Sequence, residues 1–287
     1  MVPKRAVVGV AVFATLCAWF LVGCAPAGEE GDEAALGLER VLSSRKIRAA
    51  FINYPPSMSV DPNSKAKSGI MVDVMNEIAN AMNVSVDYVE EATFATMIDT
   101  LNSGRVDIVV SGIWPSSARA LKAGFSRAVY YSAIYAYVRA DDDRFDGDLG
   151  QIDDPSFRIA AIDGELSSIV AGSDYPKAVV VGLPQQADVS QLLLQLTTNK
   201  ADVTFVEPAI AEAFLTKNPG SIRRVANVPA VRLFPNTFLF RRGDAQLREA
   251  INLAIVELAN AGGVARIIKQ YDPIGKLFTI PSLPVSP

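Results

Sequence analysis

Two stretches, FATMIDTLNSGRVD (94–107) and VSQLLLQLTTNKAD (189–202), repeat one pattern at a constant offset of 95 residues. Phe94, Met97, Ile98, Leu101 and Asp107 of the first recur as Val189, Leu192, Leu193, Leu196 and Asp202 of the second. Apolar residues at i, i+3, i+4 and i+7 make one helix face, and the short apolar runs that follow read as buried strands. Each copy is thus a helix feeding a strand, one strand ending at Gly112 and the other at Glu207. Open α/β sheets bind ligands at the carboxyl ends of their strands. Two such ends facing each other predict a cleft between two similarly wound lobes.

Working outward, the same reading extends over both copies. Before the first repeat come a short helix over 37–45, a strand over 47–51 broken by Pro55 and Pro56, a loop over 61–68, a helix carrying Met71, Val74, Met75, Ile78 and Met82, and a strand over 84–88. Gly104 stands where a helix wants a left-handed cap. Around the second repeat lie strand 158–163, a helix from about 166, strand 178–181, helix 189–196 and strand 203–206. Alternation of this kind implies α/β architecture with parallel sheets covered by helices. Strand 238–241 and a long helix over 245–261, stopped by Gly262 and Gly263, are expected to return to the first lobe. The chain then crosses between lobes twice, near 137–140 and near 231–236, which makes a double-crossover hinge. The acidic run 141–148 has its calcium-loop spacing spoiled by Arg144 and reads as a solvated loop beside the hinge.

The N-terminus speaks to location. Lys4 and Arg5 precede an uncharged, mostly apolar run over 6–22 that ends in Leu21-Val22-Gly23-Cys24, the form of a signal peptide. The ending resembles a bacterial lipobox, which implies lipidation at Cys24; a retained anchor is the alternative, and both put the body outside the cytoplasm. Cleavage removes Cys17, leaving Cys24 without a disulfide partner. The remaining 264 residues (287 less 23) must be held by apolar burial, with 25 basic side chains (27 less Lys4 and Arg5) against 31 acidic ones. Such a balance disfavours nucleic acid and anionic lipid as partners. The absence of histidine and the single remaining cysteine argue against metal sites and Ser-His or Cys-His nucleophiles, and no cofactor is expected.

Several ordered segments resemble the extracellular solute-binding proteins of the polar amino-acid type, receptors for ABC importers: Tyr54-Pro55-Pro56, GIMVDV (69–74), LNSGRVD (101–107), Ser111-Gly112 with Arg119 seven residues on, Phe125-Ser126 with Tyr130-Tyr131-Ser132, and Arg242-Gly243-Asp244. The resemblance covers roughly 46–272. It implies a two-lobed periplasmic-binding-protein-like (type II) fold with lobe 1 over 46–137 plus 235–273 and lobe 2 over 138–234. Before them come the signal peptide (1–23) and an anchored linker with the leading helix (24–45), and a Pro-rich tail follows (274–287). It further implies a monomer that closes on an amino-acid-like solute and delivers it to a permease.

The resemblance also assigns residues. It places Arg119 on a ligand carboxylate and Glu207 on an ammonium, in keeping with the planar guanidinium fork and with a carboxylate standing between a strand end and Pro208. A surface ion pair for Arg119 and an N-cap role for Glu207 are the plainer readings. Phe94 and Tyr54 fit either a ring stacked on ligand or core packing. Gly112 lies at the mouth of its strand, and Glu165, Ser167 and Ser168 follow a glycine turn whose N–H groups would meet the ligand or whose serines would cap the helix. Trp114 departs from the small hydroxyl residue usual in amino-acid receptors, and Glu165 from a threonine or serine. Trp114 then either touches ligand or plugs the pocket, while Glu165 sets a second carboxylate against Arg119. Aromatic rings around carboxylates suit a cationic amine equally well. Two further functions stand beside the receptor: an enzyme resembling cyclohexadienyl dehydratases, with Glu165 or Glu207 as general acid, and a ligand-sensing accessory protein.

Overall fold

The computed structural model describes residues 37–281; the expected signal peptide, Cys24, most of the expected linker and the end of the expected tail lie outside the described residues. In chain order the elements are α1 (Leu38–Ser44), β1 (Lys46–Phe51), β2 (Ser59–Val60), β3 (Lys67–Ser68), α2 (Ile70–Ala81), β4 (Ser85–Glu91), α3 (Met97–Asn102), β5 (Ile108–Ile113), α4 (Ser117–Ala120), β6 (Ala123–Phe125) and β7 (Tyr130–Arg139). There follow β8 (Arg158–Ile162), α5 (Leu166–Asp174), β9 (Val179–Leu183), α6 (Ser190–Thr197), β10 (Val203–Val206), α7 (Pro208–Lys217) and β11 (Ile222–Arg224). The chain finishes with β12 (Arg232–Arg241), α8 (Ala245–Asn260), α9 (Gly263–Tyr271) and β13 (Phe278–Thr279).

The strands lie in the order β4-β1-β5-β12-β7-β10-β8-β9. Pairing is parallel within β4-β1-β5 and within β10-β8-β9, and antiparallel where β12 and β7 join the two halves. Each half is covered on both faces, as a parallel sheet requires. One face of the first carries α2, α8 and α9 around Met71, Met75, Ile251 and Ile267, and the other packs α3 through Met97 and Leu101. In the second half, α5 covers Val203 and Phe205, while α6 and α7 cover Ile162 and Val206.

The repeated aspartates explain why the repeat was visible. Asp107 and Asp202 each exchange two bonds with the first residues of a neighbouring strand. Asp107 N–H donates to Arg48 O (2.8 Å) and Arg48 N–H donates to Asp107 Oδ2 (2.8 Å). Asp202 N–H donates to Arg158 O (2.8 Å) and Arg158 N–H to Asp202 Oδ2 (2.9 Å). In both lobes the arginine side chain then closes on the same carboxylate. A charge-assisted clamp thus pins the same strand pair twice.

Both crossings run through continuous strands. Residues 130–134 of β7 pair with β12, and residues 135–138 pair with β10. On β12, residues 232–236 pair with β7 and 237–240 with β5. The second crossing therefore falls at the end of the expected 231–236, but the first lies a few residues before 137–140. The cause is the length of β7, which carries the chain the full height of the second half before turning. For the same reason the run 141–148 is at the far end from the hinge, and it is not simply solvated. Asp142 is buried and holds Arg144 Nη2 at 2.6 Å, and the guanidiniums of Arg139 and Arg144 tie it to Asp202.

Three smaller features complete the fold. Phe94 does not open its helix, because Thr93 and Thr96 exchange side-chain to backbone bonds (3.0 and 3.2 Å) that hold a turn there, so that α3 begins at Met97. As expected, α8 stops at Asn260 before Gly262 and Gly263, and α9 leaves that corner at 77°. The segment after Gly275 adds β13 to β7 opposite Tyr131 and Ser132, with Phe278 edge-on to Tyr130.

Candidate functional site

Where the two halves face each other, a cavity of ≈ 30 Å³ is lined from one side by Tyr54, Phe94 and Trp114 and from the other by Glu165, Ser167, Gln185, Val189 and Glu207. Phe94 and Val189, equivalent in the repeat, thus meet across one space. Local sequence explains each position. Tyr54 is held just past β1 by a two-way backbone bridge with Met58 (2.8 and 3.1 Å). Glu207 caps β10 and precedes Pro208 at the first turn of α7, without a side-chain bond to that helix. Glu165 follows Gly164, whose φ of +72° favours glycine, and takes the N-cap position of α5, also without a capping bond.

Two polar contacts span the halves. Tyr54 OH donates to Glu207 Oε2 at 2.8 Å, with both side chains buried. Arg119 Nη2 donates to Glu165 Oε1 at 2.6 Å, the two side chains being 13% and 12% exposed. Arg119 is placed by Ser116, whose Oγ accepts its backbone N–H (3.3 Å), and by Trp114 O, which accepts from Nη1 (3.4 Å). Gln185 Nε2 reaches Glu165 Oε1 at 3.5 Å. Glu207 Oε1 is buried and makes no hydrogen bond.

The electrostatics follow from burial. Desolvation pushes Glu207 above the ordinary glutamate range, opposed by the Ser132 and Tyr54 hydroxyls. It likewise raises Glu165, with Arg119 and Gln185 opposing. Tyr54 lies well above its usual value, first through burial and then through the Glu207 charge.

Of the residues singled out in the sequence, Tyr54, Phe94, Trp114, Glu165, Ser167 and Glu207 line the cavity, and Arg119 joins them through Glu165. Tyr54 meets Phe94 edge-on at 5.5 Å, while Trp114 packs against Phe234 at 5.0 Å and against the core of the second half. Ser167 is turned inward, its Oγ accepting from Ile162 N–H (3.0 Å). Two residues are elsewhere. Ser168 Oγ donates to Glu165 O (2.8 Å). Gly112 sits inside β5, where a Cβ would lie 2.5 Å from Ser57 Oγ and 2.6 Å from Asn236 Oδ1, so the glycine serves close packing. Gln185 and Ala187, which also line the cavity, had no sequence signal because they stand on an irregular loop after β9. Phe205 had one, the apolar run of β10, which gave its burial but not its nearness to the cavity.

Against this geometry the comparisons are informative. The histidine-binding periplasmic protein of Salmonella typhimurium is 25% identical over 255 residues, covering 83% of this chain and 95% of its own. The arginine-binding extracellular protein ArtP of Bacillus subtilis is 23% identical over 200 residues, with 68% and 75% covered. Among solved structures, an ancestral amino-acid-binding protein described as a precursor of cyclohexadienyl dehydratase superposes with a TM-score of 0.69 at 20% identity, over 81% of this chain and 97% of that one. The family model of bacterial extracellular solute-binding proteins, family 3, matches residues 47–274. That match takes in both halves and both crossings, and the chain belongs to the bacterial extracellular solute-binding proteins, family 3.

Proposed function

We propose that this protein is an extracytoplasmic receptor whose two lobes, 46–137 plus 235–273 and 138–234, close on a small polar solute and deliver it to an ABC importer. In this reading Met1–Gly23 is removed, Cys24 carries the lipid that holds the monomer at the membrane, and the strand crossings at 134–135 and 236–237 form the hinge. One observation carries the proposal: Tyr54 with Glu207, and Arg119 with Glu165, come from opposite halves and meet at one cavity. Opening the halves separates both pairs, so the site exists as a unit only when the lobes are shut. The names of the relatives, which bind arginine and histidine, support a nitrogen-rich solute. Arg119, Glu207, Tyr54, Phe94, Trp114 and Glu165 are the residues assigned to the ligand.

The test is a thermal-shift screen of the protein against amino acids, amines and organic acids, since a ligand that binds only the native state raises the melting temperature. A concentration-dependent rise with at least one solute is expected. No rise across all three classes refutes the receptor reading. A second reading, a dehydratase with Glu207 as general acid, has in its favour that burial holds this carboxyl above its usual range. It requires product formation from prephenate, which the receptor reading forbids.

A further inference from the structure

Resting on the receptor reading, we infer that the solute is an amine or guanidine bearing no carboxylate, because Glu165 already pairs with Arg119, the cation beside the cavity. The cavity lining contains two acids, Glu165 and Glu207, and no basic side chain. Arg119 is the cation next to it, and its Nη2 is already 2.6 Å from Glu165 Oε1 in a setting only about one-eighth exposed. Counting these three groups as charged gives the site a net charge of −1. A zwitterionic amino acid leaves that charge uncompensated and needs Arg119 released from Glu165. Glu165 would then keep only the long contact to Gln185. Stripping one partner from a largely buried ion pair lowers affinity by roughly 100-fold or more.

A second observation, independent of the ion pair, points to a cation. Glu207 is 96% buried (4% exposed), and its Oε1 has no hydrogen-bond partner. The adjoining cavity of ≈ 30 Å³ exceeds the ~10–15 Å³ that one water-sized group needs, so an ammonium head fits beside that oxygen. An N–H donor there satisfies the orphaned oxygen, and Tyr54, Phe94 and Trp114 in the lining supply aromatic rings, whose faces favour a cation over an anion.

The spaces next to the cavity carry the same sign. A neighbouring space of ≈ 260 Å³ shares Tyr54, Phe94, Gln185 and Val189 with it and adds Glu91 and Asp188, again without a basic side chain. On the far side of Tyr54, a space of ≈ 400 Å³ has one basic residue, Lys217, which is exposed to solvent and shares that lining with Asp188. A ligand carboxylate therefore finds no free buried cation in the inner cavity or in either neighbouring space.

Matched pairs that differ by one carboxylate test this on the full chain by titration calorimetry: arginine with agmatine, lysine with cadaverine, histidine with histamine, and phenylalanine with phenethylamine. At least one amine is expected to bind 10-fold or more tightly than its amino acid. In Glu165→Gln, which frees Arg119, the amino acid of that pair should gain 10-fold or more and close the gap. An amino acid that equals or beats its amine in every pair overturns the inference while leaving the receptor reading intact, and so does failure of all four amines to bind when the broader screen finds another solute. An unchanged ratio in Glu165→Gln overturns the role given to Glu165. The ranking in the unaltered protein needs no variant to fold.

Discussion

Tyr54→Phe isolates one of the two side-chain contacts that span the halves. The substitution keeps the ring, its burial and its edge contact with Phe94, and removes only the hydroxyl that donates to Glu207 Oε2 at 2.8 Å. Glu207 Oε1 already lacks a partner, so the variant leaves the Ser132 hydroxyl as the remaining support of a buried carboxylate whenever the lobes are closed. Opening hydrates it. A hydrogen bond to a charged group contributes about 1.5–3 kcal/mol, which moves the closed-to-open ratio by roughly 10- to 150-fold toward open. Loss of the hydroxyl also removes one of the two influences that hold Glu207 down, so its carboxyl rises further and becomes a poorer partner for an ammonium. Both effects act in one direction. The radius of gyration from small-angle scattering of the unliganded protein should increase, and the affinity for the tightest amine of the matched set should fall about 10-fold or more. Identical scattering curves together with unchanged affinity would show that the Tyr54–Glu207 bond does not govern closure.

Three further outcomes follow from the same contacts. Asp107→Asn should cost about 3 kcal/mol and lower the melting temperature by ~6–12 °C, because its side chain is fully buried between Arg40 and Arg48. Asp202→Asn should cost less, since Arg144 and Arg158 around it are about 40% exposed and screened by water; equal losses on thermal unfolding would contradict this account of the two clamps. Glu207→Gln should abolish amine binding yet raise the melting temperature of the unliganded protein. With the native carboxyl raised above the ordinary 4.5, the unfolded chain sheds that proton first, so stability falls as pH climbs through the window between the two values; the gap between variant and parent must therefore widen from about pH 4.5 upward, and a gap that narrows refutes the assignment. Gly112→Ala should destabilise the fold without altering ligand preference, because the new methyl would meet Ser57 and Asn236 inside the sheet; a stable variant with changed selectivity would mean that Gly112 faces ligand after all.

The amino-acid sequence by itself determined the duplication and the alternation of helix and strand within each copy, but not β7, the strand that carries the first crossing. Helix and strand periods are local properties, and the aspartates at 107 and 202 recur because the same strand pair needs the same clamp in each half. It also marked six of the fourteen lining residues, with Tyr54 and Glu207 standing just past strand ends and Glu165 after a glycine turn. Tertiary structure alone decided who faces whom. Whether Arg119 meets solvent, solute or Glu165 depends on two segments 46 residues apart brought together by closure, and no local pattern encodes that distance. The same holds for the length of β7, which placed the acidic run 141–148 far from the hinge, and for Gln185, which reaches Glu165 from a loop without periodicity. Pairing across a cleft is a property of packed lobes, and it sets the guanidinium expected to grip a ligand 2.6 Å from the Glu165 carboxylate.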